Sequence, residues 1–187
     1  MKVFWWGLTD FRTQAIQWQN HAWSWSGIPW AGWTVMSLMA VMGSLIYGYA
    51  LVTTAGLSMG WEGGVLVAVP AGLGWCVLGL ALLGLTKRHP IFLAQVCLVS
   101  MFWGEIWLLC GAVLNLAVID ALGWSDREVW FFNGIWILLS NLLMFFVWSV
   151  SLIQVGESWR KLLFLWLVVL NGTGLLAFFL LRSLWRL

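Results

Sequence analysis

Five long runs of apolar residues, separated by short polar segments, dominate this chain. A helix needs about 20 apolar residues to cross the core of a bilayer, and each run is long enough. Irregular backbone cannot face lipid and barrel strands would alternate apolar and polar positions, so the runs predict helices. The predicted spans are about 30–55, 64–85, 91–119, 129–155 and 162–181. The expected fold is an all-α membrane protein with a five-transmembrane-helix bundle in residues 30–187.

The segments between the spans carry signals for the start of a helix. Pro90 lies where the first turn of the third span should begin, and Pro29 has the same place before the first. Ser125 and Glu128 have the S-x-x-E spacing of a capping box at the start of the fourth span. The connections are short, so consecutive helices are expected to be antiparallel neighbours.

The first 29 residues precede the apolar runs and form a separate segment. Within residues 4–22, apolar side chains recur at helical spacing, with polar residues on the opposite face. This pattern predicts an amphipathic helix that lies in the membrane interface. The alternative is a helix that docks onto a soluble or membrane partner.

The composition supports a membrane protein and limits its partners. The chain is 63% hydrophobic and 9% charged, whereas soluble domains carry about 25% charged residues. Its 187 residues make one domain, and a net charge of +2 gives no reason to expect nucleic acid as a partner. The expected partners are membrane lipids and other integral membrane subunits.

The charged residues between the spans predict an orientation. Lysine and arginine are enriched in cytoplasmic loops, and here basic segments (1–29, 87–89 and 157–161) alternate with acidic ones (56–63 and 120–128). This alternation predicts a cytoplasmic N-terminus and a C-terminus on the opposite side, in a bacterial inner membrane. Arg182 and Arg186 then lie on the translocated side, against the rule.

Tryptophan is unusually abundant, with 18 in the chain. Many flank the spans, as expected for rings that favour the membrane interface. The densest interfacial group, at the start of the first span, consists of Trp23, Trp25, Trp30 and Trp33. A surface for a pigment, a quinone or a partner helix is the alternative. Six tryptophans lie deeper, where each indole N–H is expected to find an acceptor: Trp75, Trp103, Trp107, Trp136, Trp148 and Trp166.

Small residues recur at four-residue spacing in the first two spans. Such stripes let helices approach closely, so they predict internal helix packing, with an oligomer interface as the alternative. The stripe residues are Ala40, Gly43, Ser44 and Gly48 in the first span, and Ala68 and Gly72 in the second.

Glu105 is the one formally charged residue inside a span, and an ionisable group at that depth is a functional hypothesis by default. No lysine or arginine lies at its depth, so desolvation favours the neutral carboxyl. Its partner should come from another helix, and the candidates are Asn133, Ser140, Asn141 and Asn171. Either a neutral carboxyl joins two helices, or the group relays protons or contacts a substrate. The further intramembrane polar residues singled out are Asn115, Asn141 and Asn171.

The chain offers no recognisable catalytic or metal-binding pattern. Cys76, Cys97 and Cys110 lie inside spans at spacings that match no zinc or haem motif, and they should behave as small apolar residues. His21 and His89 lie outside the spans, and no triad, His-Glu-x-x-His or phosphate-loop signature occurs. We therefore expect neither enzymatic activity nor a bound metal or cofactor.

Two stretches resemble the Yip1-like family of five-span membrane proteins. One is 43–48 (GSLIYG), and the other is 148–152 (WSVSL), continuing through Gly156 to Lys161. The resemblance covers residues 30–187 and implies a non-enzymatic, membrane-organising role, with no catalytic residues to carry over. Together with the spans, it favours a scaffold or accessory subunit that binds other membrane proteins or lipids. The alternative is a small transporter or proton-coupled component that uses Glu105.

Overall fold

The computed structural model describes Asp10, Ile16, residues 30–55 and residues 60–184. Within these residues the chain forms five long helices and no strand. The uninterrupted helices are α1 (Trp30–Thr54), α2 (Trp61–Thr86) and α4 (Asp126–Gln154). Helix α3 runs through Pro90–Leu114, a π-helical segment Asn115–Ile119 and a short turn Asp120–Leu122. Helix α5 runs through Trp159–Phe164, a π-helical segment Leu165–Asn171 and Gly172–Leu184.

All five helices are long and apolar enough to cross a membrane, which is compatible with an integral membrane protein. The prediction of five helical spans is therefore confirmed, and each helix begins and ends within a few residues of its predicted span. The predicted amphipathic helix in 1–29 lies outside the described residues, apart from Asp10 and Ile16.

The predicted helix starts are present at α3 and α4. Helix α3 begins at Pro90, and the His89 side chain accepts a hydrogen bond from the Ile91 N–H at 3.3 Å. At α4, the Ser125 N–H donates to Glu128 Oε2 at 2.8 Å, as in a capping box. At each of these two helix starts, a nearby side chain thus accepts a hydrogen bond from a backbone N–H that has no partner within the helix.

The helices pack in a curved row whose order differs from their order in the chain. Helix α1 packs against both α2 and α3, α4 packs on α3, and α5 packs on α2. The row is therefore α5, α2, α1, α3, α4. At the crossing of α1 and α2 the backbones touch, because a Cβ atom on Gly48 would lie 2.5 Å from the Gly63 carbonyl oxygen.

The two ends of the row meet at one end of the bundle, here called the Arg88 end. Arg88 Nε lies 3.3 Å from Glu157 Oε1, and Lys161 Nζ lies 3.0 Å from Glu157 Oε2 and donates to the Leu85 carbonyl at 2.8 Å. Arg88 also donates to the Val155 carbonyl. These contacts join the α2–α3 connection to the α4–α5 connection and close the bundle there.

Apolar packing closes the same half of the molecule. A buried cluster at this end contains residues from all five helices, among them Met36, Leu82, Val96, Trp148 and Leu165. The rings of Phe145 on α4 and Trp166 on α5 stack with their centroids 4.7 Å apart. Helices α4 and α5 therefore remain in contact as far as the level of Trp166.

The opposite end of the bundle, here called the Trp124 end, is packed differently. Its buried cluster is built on α1, α3 and α4, with Tyr47, Leu108, Ala112 and Val129 among its members. Among the described residues, none from α5 belongs to this cluster. The bundle is closed at the Arg88 end and split between α4 and α5 toward the Trp124 end.

Candidate functional site

The split between α4 and α5 forms a cavity of about 900 Å³, here called the cleft. Helices α2 and α5 form one side wall, α4 forms the other, and α1 and α3 contribute the inner wall. Most of the lining is apolar: Leu66, Val67, Ala71 and Trp75 on α2, Ile137, Leu138 and Met144 on α4, and Leu170, Leu175 and Phe178 on α5.

Polar side chains from four helices also line this apolar cleft. They are Ser44 on α1, Glu105 on α3, Asn133, Ser140 and Asn141 on α4, and Asn171 on α5. The cleft thus brings together three of the four intramembrane residues singled out from the sequence, Glu105, Asn141 and Asn171. Asn115 lies elsewhere.

Glu105 is joined to α1 at the inner wall. Ser44 Oγ donates to Glu105 Oε1 at 2.6 Å, and the glutamate is 3% exposed. Glu105 Oε2 is buried and has no hydrogen-bond partner among the described residues. A Cβ atom on Gly43 would lie 2.8 Å from Glu105 Cβ, so Gly43 provides the space that the glutamate occupies.

The partner of Glu105 differs from those expected. It does come from another helix, but it is Ser44, which the sequence analysis had assigned to the packing stripe. The four expected partners donate elsewhere. Ser140 donates to the Gly104 carbonyl at 3.0 Å, and each of the three asparagines donates to a backbone carbonyl of its own helix. Asn133 also donates to Asn115 Oδ1. Apolar periodicity does not reveal which helix faces meet, so Ser44 could not be identified from the sequence as the partner of Glu105.

Asn141 and Asn171 face the cleft from opposite walls and keep free hydrogen-bonding capacity. Asn141 Nδ2 donates to the Ile137 carbonyl at 3.1 Å, and Asn171 Nδ2 donates to the Trp166 carbonyl at 2.6 Å. Neither Oδ1 atom accepts a hydrogen bond from the described residues. Each amide therefore has one oxygen and one N–H hydrogen that a ligand can use.

Irregular helix geometry accompanies the cleft. The π-helical segment of α5 ends at Asn171, whose side chain reaches the carbonyl five residues earlier, and π-bulges are frequent at functional sites. On the facing helix α2, Pro70 lines the cleft and has no N–H to donate to the Leu66 carbonyl. Pro70 was not among the residues singled out from the sequence, although a proline inside an apolar span is visible there.

Asn115 belongs to a second polar cluster, which is fully paired. Asn115 and Asn133 exchange side-chain hydrogen bonds, each 2.8 Å long, and Tyr47 Oη donates to Asn133 Oδ1 at 2.5 Å. All three residues are fully buried and join α3, α4 and α1. Because its polar groups are satisfied, this cluster acts in packing, although Asn133 also borders the cleft.

The small residues of the two stripes have different surroundings. Gly43 packs against Glu105 and Gly48 against Gly63 and Gly64, whereas Ala40 and Ala68 are half-buried. A Cβ atom on Gly72 would have no neighbour within 4 Å. The close approach of α2 to α1 therefore depends on the Gly63–Gly64 pair. Gly64 lies four residues before Ala68 and so continues the same spacing toward the start of α2, but it was not singled out from the sequence.

The interfacial tryptophans lie mostly beyond the described structure. Trp23 and Trp25 are outside the described residues, and Trp30 and Trp33 belong to α1 without a description of their side chains. No contact is therefore assigned to these four rings.

The deeper tryptophans are described. Trp136 Nε1 donates to the Trp107 carbonyl at 2.9 Å, and Trp75 lines the cleft. The preference of a deep indole N–H for an acceptor is not met at Nε1 of Trp107, Trp148 and Trp166, which is buried without a partner among the described residues. Ring packing, such as the 4.6 Å stack of Trp107 on Trp136, takes precedence there.

Two further findings bear on the site. In the part of the chain that the structure describes, no group of three or more His, Cys, Asp or Glu side chains is placed to hold a metal ion. No protein-family model, curated protein or solved structure significantly matches this chain. The resemblance to the Yip1-like family stays a prediction.

Proposed function

We propose that this protein is a non-catalytic integral membrane protein that binds an amphipathic, lipid-like molecule in the cleft. In this role it serves as an accessory component for other membrane proteins. The observation that carries the proposal is an apolar cavity of about 900 Å³ into which asparagines with free hydrogen-bonding atoms project from opposite walls.

The lining of the cleft has the character of a ligand site. Small-molecule sites are concave and mostly apolar, with volumes of about 300–1,000 Å³ and a few polar groups that orient the ligand. Within a bilayer, polar groups without partners are costly and are retained where they have a function. An amphipathic molecule would pair with Asn141 and Asn171 and cover the apolar walls.

The charges at the Arg88 end support an orientation. Arg88 and Lys161 lie together there, beside Lys87 and Arg160, and basic residues are enriched on the cytoplasmic side. We propose that this end is cytoplasmic, as in a bacterial inner membrane. The N-terminus is then cytoplasmic, the C-terminus lies on the opposite side, and the cleft opens toward the outer leaflet.

Blocking the cleft tests the proposal. Gly134 lines the cleft, and a Cβ atom there has no neighbour within 4 Å, so Gly134→Phe adds a bulky ring at the cleft from a position where the side chain can start without a clash. Native mass spectrometry of gently solubilised protein should detect one retained lipid-like molecule in the wild type and at least tenfold less in Gly134→Phe. Gly79→Phe is the matched control, because Gly79 has equal space but does not line the cleft. Equal retention in all three proteins would refute the proposal.

A proton-coupled transporter is the second candidate, and one observation favours it. Glu105 lies on the inner wall of the cleft with Oε2 unpaired among the described residues. Glu105→Gln keeps the size of the side chain and can still accept from Ser44, but it cannot carry a proton. If the protein is a proton-coupled transporter, a pH-sensitive dye inside proteoliposomes should report proton flux with the wild-type protein and no flux with Glu105→Gln. The lipid-binding proposal requires that ligand retention stay the same in both.

A further inference from the structure

We infer that the cleft selects a neutral lipid with a hydroxyl head group and excludes phospholipids. This inference rests on the proposed function and names the ligand class for the same site. It follows from the depth of the polar groups, from the charges in the lining and from the free atoms of the two facing asparagines.

The polar groups of the cleft lie far from the ends of the helices. Ser44, Glu105, Asn141 and Asn171 are each at least ten residues from both ends of their helices, which corresponds to about 15 Å of helix. The phosphate of a phospholipid lies at the edge of a hydrocarbon core that is about 30 Å thick. To reach these groups, a phosphate would have to enter the middle of the bilayer, whereas an uncharged hydroxyl can do so at a far smaller desolvation cost.

The lack of basic side chains in the described lining is a second reason to exclude an anionic head group. The cleft contains no Lys, Arg or His among its described lining residues, and Glu105 is its one ionisable carboxyl. A phosphate buried there would have no counter-charge, and uncompensated buried charge is strongly unfavourable. The basic residues of the described bundle, such as Arg88 and Lys161, lie instead at the Arg88 end, where the bundle is closed.

The free atoms of the asparagines match a hydroxyl group. A hydroxyl donates one hydrogen bond and accepts others, and each amide has a free oxygen and a free N–H hydrogen. A hydroxyl beside either amide can donate to its free oxygen or accept from its free N–H. Its hydrocarbon portion would then lie along Leu138, Leu175 and Phe178 toward the Trp124 end.

Lipid selectivity measured on the whole protein tests this inference. Delipidated protein in detergent is titrated with dioleoylglycerol and, separately, with dioleoylphosphatidylglycerol, and bound lipid is counted by native mass spectrometry. Dioleoylglycerol should bind one to one and at least tenfold more tightly than dioleoylphosphatidylglycerol. Asn141→Ala should weaken dioleoylglycerol binding about fivefold, and the double substitution with Asn171→Ala should weaken it further.

The controls keep the outcomes distinct. Thr53→Val removes a hydroxyl that bonds the Tyr49 carbonyl of its own helix outside the cleft, so it should leave lipid binding unchanged. Asn141→Ala removes a bond within a single helix and should keep the fold even if the double variant does not. Tighter binding of dioleoylphosphatidylglycerol, abolished by Gly134→Phe, would overturn the neutral-lipid inference and leave the proposed function standing. If no lipid binding responds to Gly134→Phe, both proposals fail.

Discussion

Polar side chains inside the bundle fall into two groups that differ in how completely they are paired. Tyr47, Asn115 and Asn133 satisfy one another between three helices, whereas Asn141 and Asn171 bond only their own helices and keep atoms free toward the cleft. A paired cluster fixes the packing of helices. The free atoms of Asn141 and Asn171 differ from other unpaired groups because the two residues line an open cavity, which favours contact with a molecule that is not part of the chain.

At the residue scale, the paired cluster should contribute measurably to stability. Asn133→Ala removes the side-chain acceptor of the Tyr47 hydroxyl and both bonds to Asn115, leaving only the backbone carbonyl of residue 133 at 3.4 Å, and it should lower the free energy of unfolding by about 1–3 kcal/mol. Thermal unfolding in detergent, followed by circular dichroism, measures the loss. The control Thr53→Val, at an exposed position, should leave the free energy of unfolding almost unchanged. A variant Asn133→Ala as stable as Thr53→Val would show that the cluster does not hold the helices together.

Glu105 illustrates what the sequence reveals about single residues. It stood out because it is the one charged residue within an apolar span. Its bond to Ser44 depends on α1 and α3 packing side by side, although 61 residues separate the two side chains in the chain. Apolar spans have no strongly polar face to orient them, so sequence alone cannot determine such pairs.

At the element scale, the crossing of α1 and α2 brings the two backbones into contact. Gly48 on α1 meets Gly63 and Gly64 on α2, and a Cβ atom on Gly64 would lie 2.5 Å from the Leu45 carbonyl oxygen. Contact between backbones strengthens van der Waals packing, which is the main attraction between helices in lipid.

Alanine at this crossing should force the two helices apart. Gly48→Ala places a methyl group against backbone atoms that cannot rotate away, and it should destabilise the fold by about 1–3 kcal/mol. Gly79→Ala, with no neighbour within 4 Å, should be neutral or slightly stabilising because alanine favours helix. Thermal unfolding of both variants in the same detergent makes the comparison. Equal midpoints of thermal unfolding for Gly48→Ala and Gly79→Ala would contradict close packing at Gly48.

The elements themselves were predictable to different degrees. The number and limits of the spans follow from the length of the apolar runs, and Pro90 and the Ser125–Glu128 pair marked where α3 and α4 begin. The two π-helical segments were not predictable, because their apolar sequences do not differ in pattern from the α-helical spans around them. Ala68 and Gly72 matched a packing motif, yet the contact lies at Gly63 and Gly64.

At the scale of the whole molecule, the arrangement of the helices creates the cleft. Five helices in a curved row close at the Arg88 end, where Glu157 joins Arg88 and Lys161, and part at the Trp124 end between α4 and α5. The short α4–α5 connection did not indicate this separation, because it predicted that consecutive helices are neighbours, whereas α4 and α5 form the two ends of the row. The candidate site therefore emerged from the tertiary structure, although three of its polar residues had been named beforehand.

The most direct test is an experimental structure of the protein in lipid nanodiscs, with a bound antibody fragment to permit imaging by electron cryomicroscopy. The account predicts that α4 and α5 contact each other near Phe145 and Trp166 and separate toward the Trp124 end. A discrete elongated density should fill the cleft, with its polar end between Asn141 and Asn171 and no phosphate peak there. An α5 helix packed against α4 along its full length, with no cavity between them, would contradict the account.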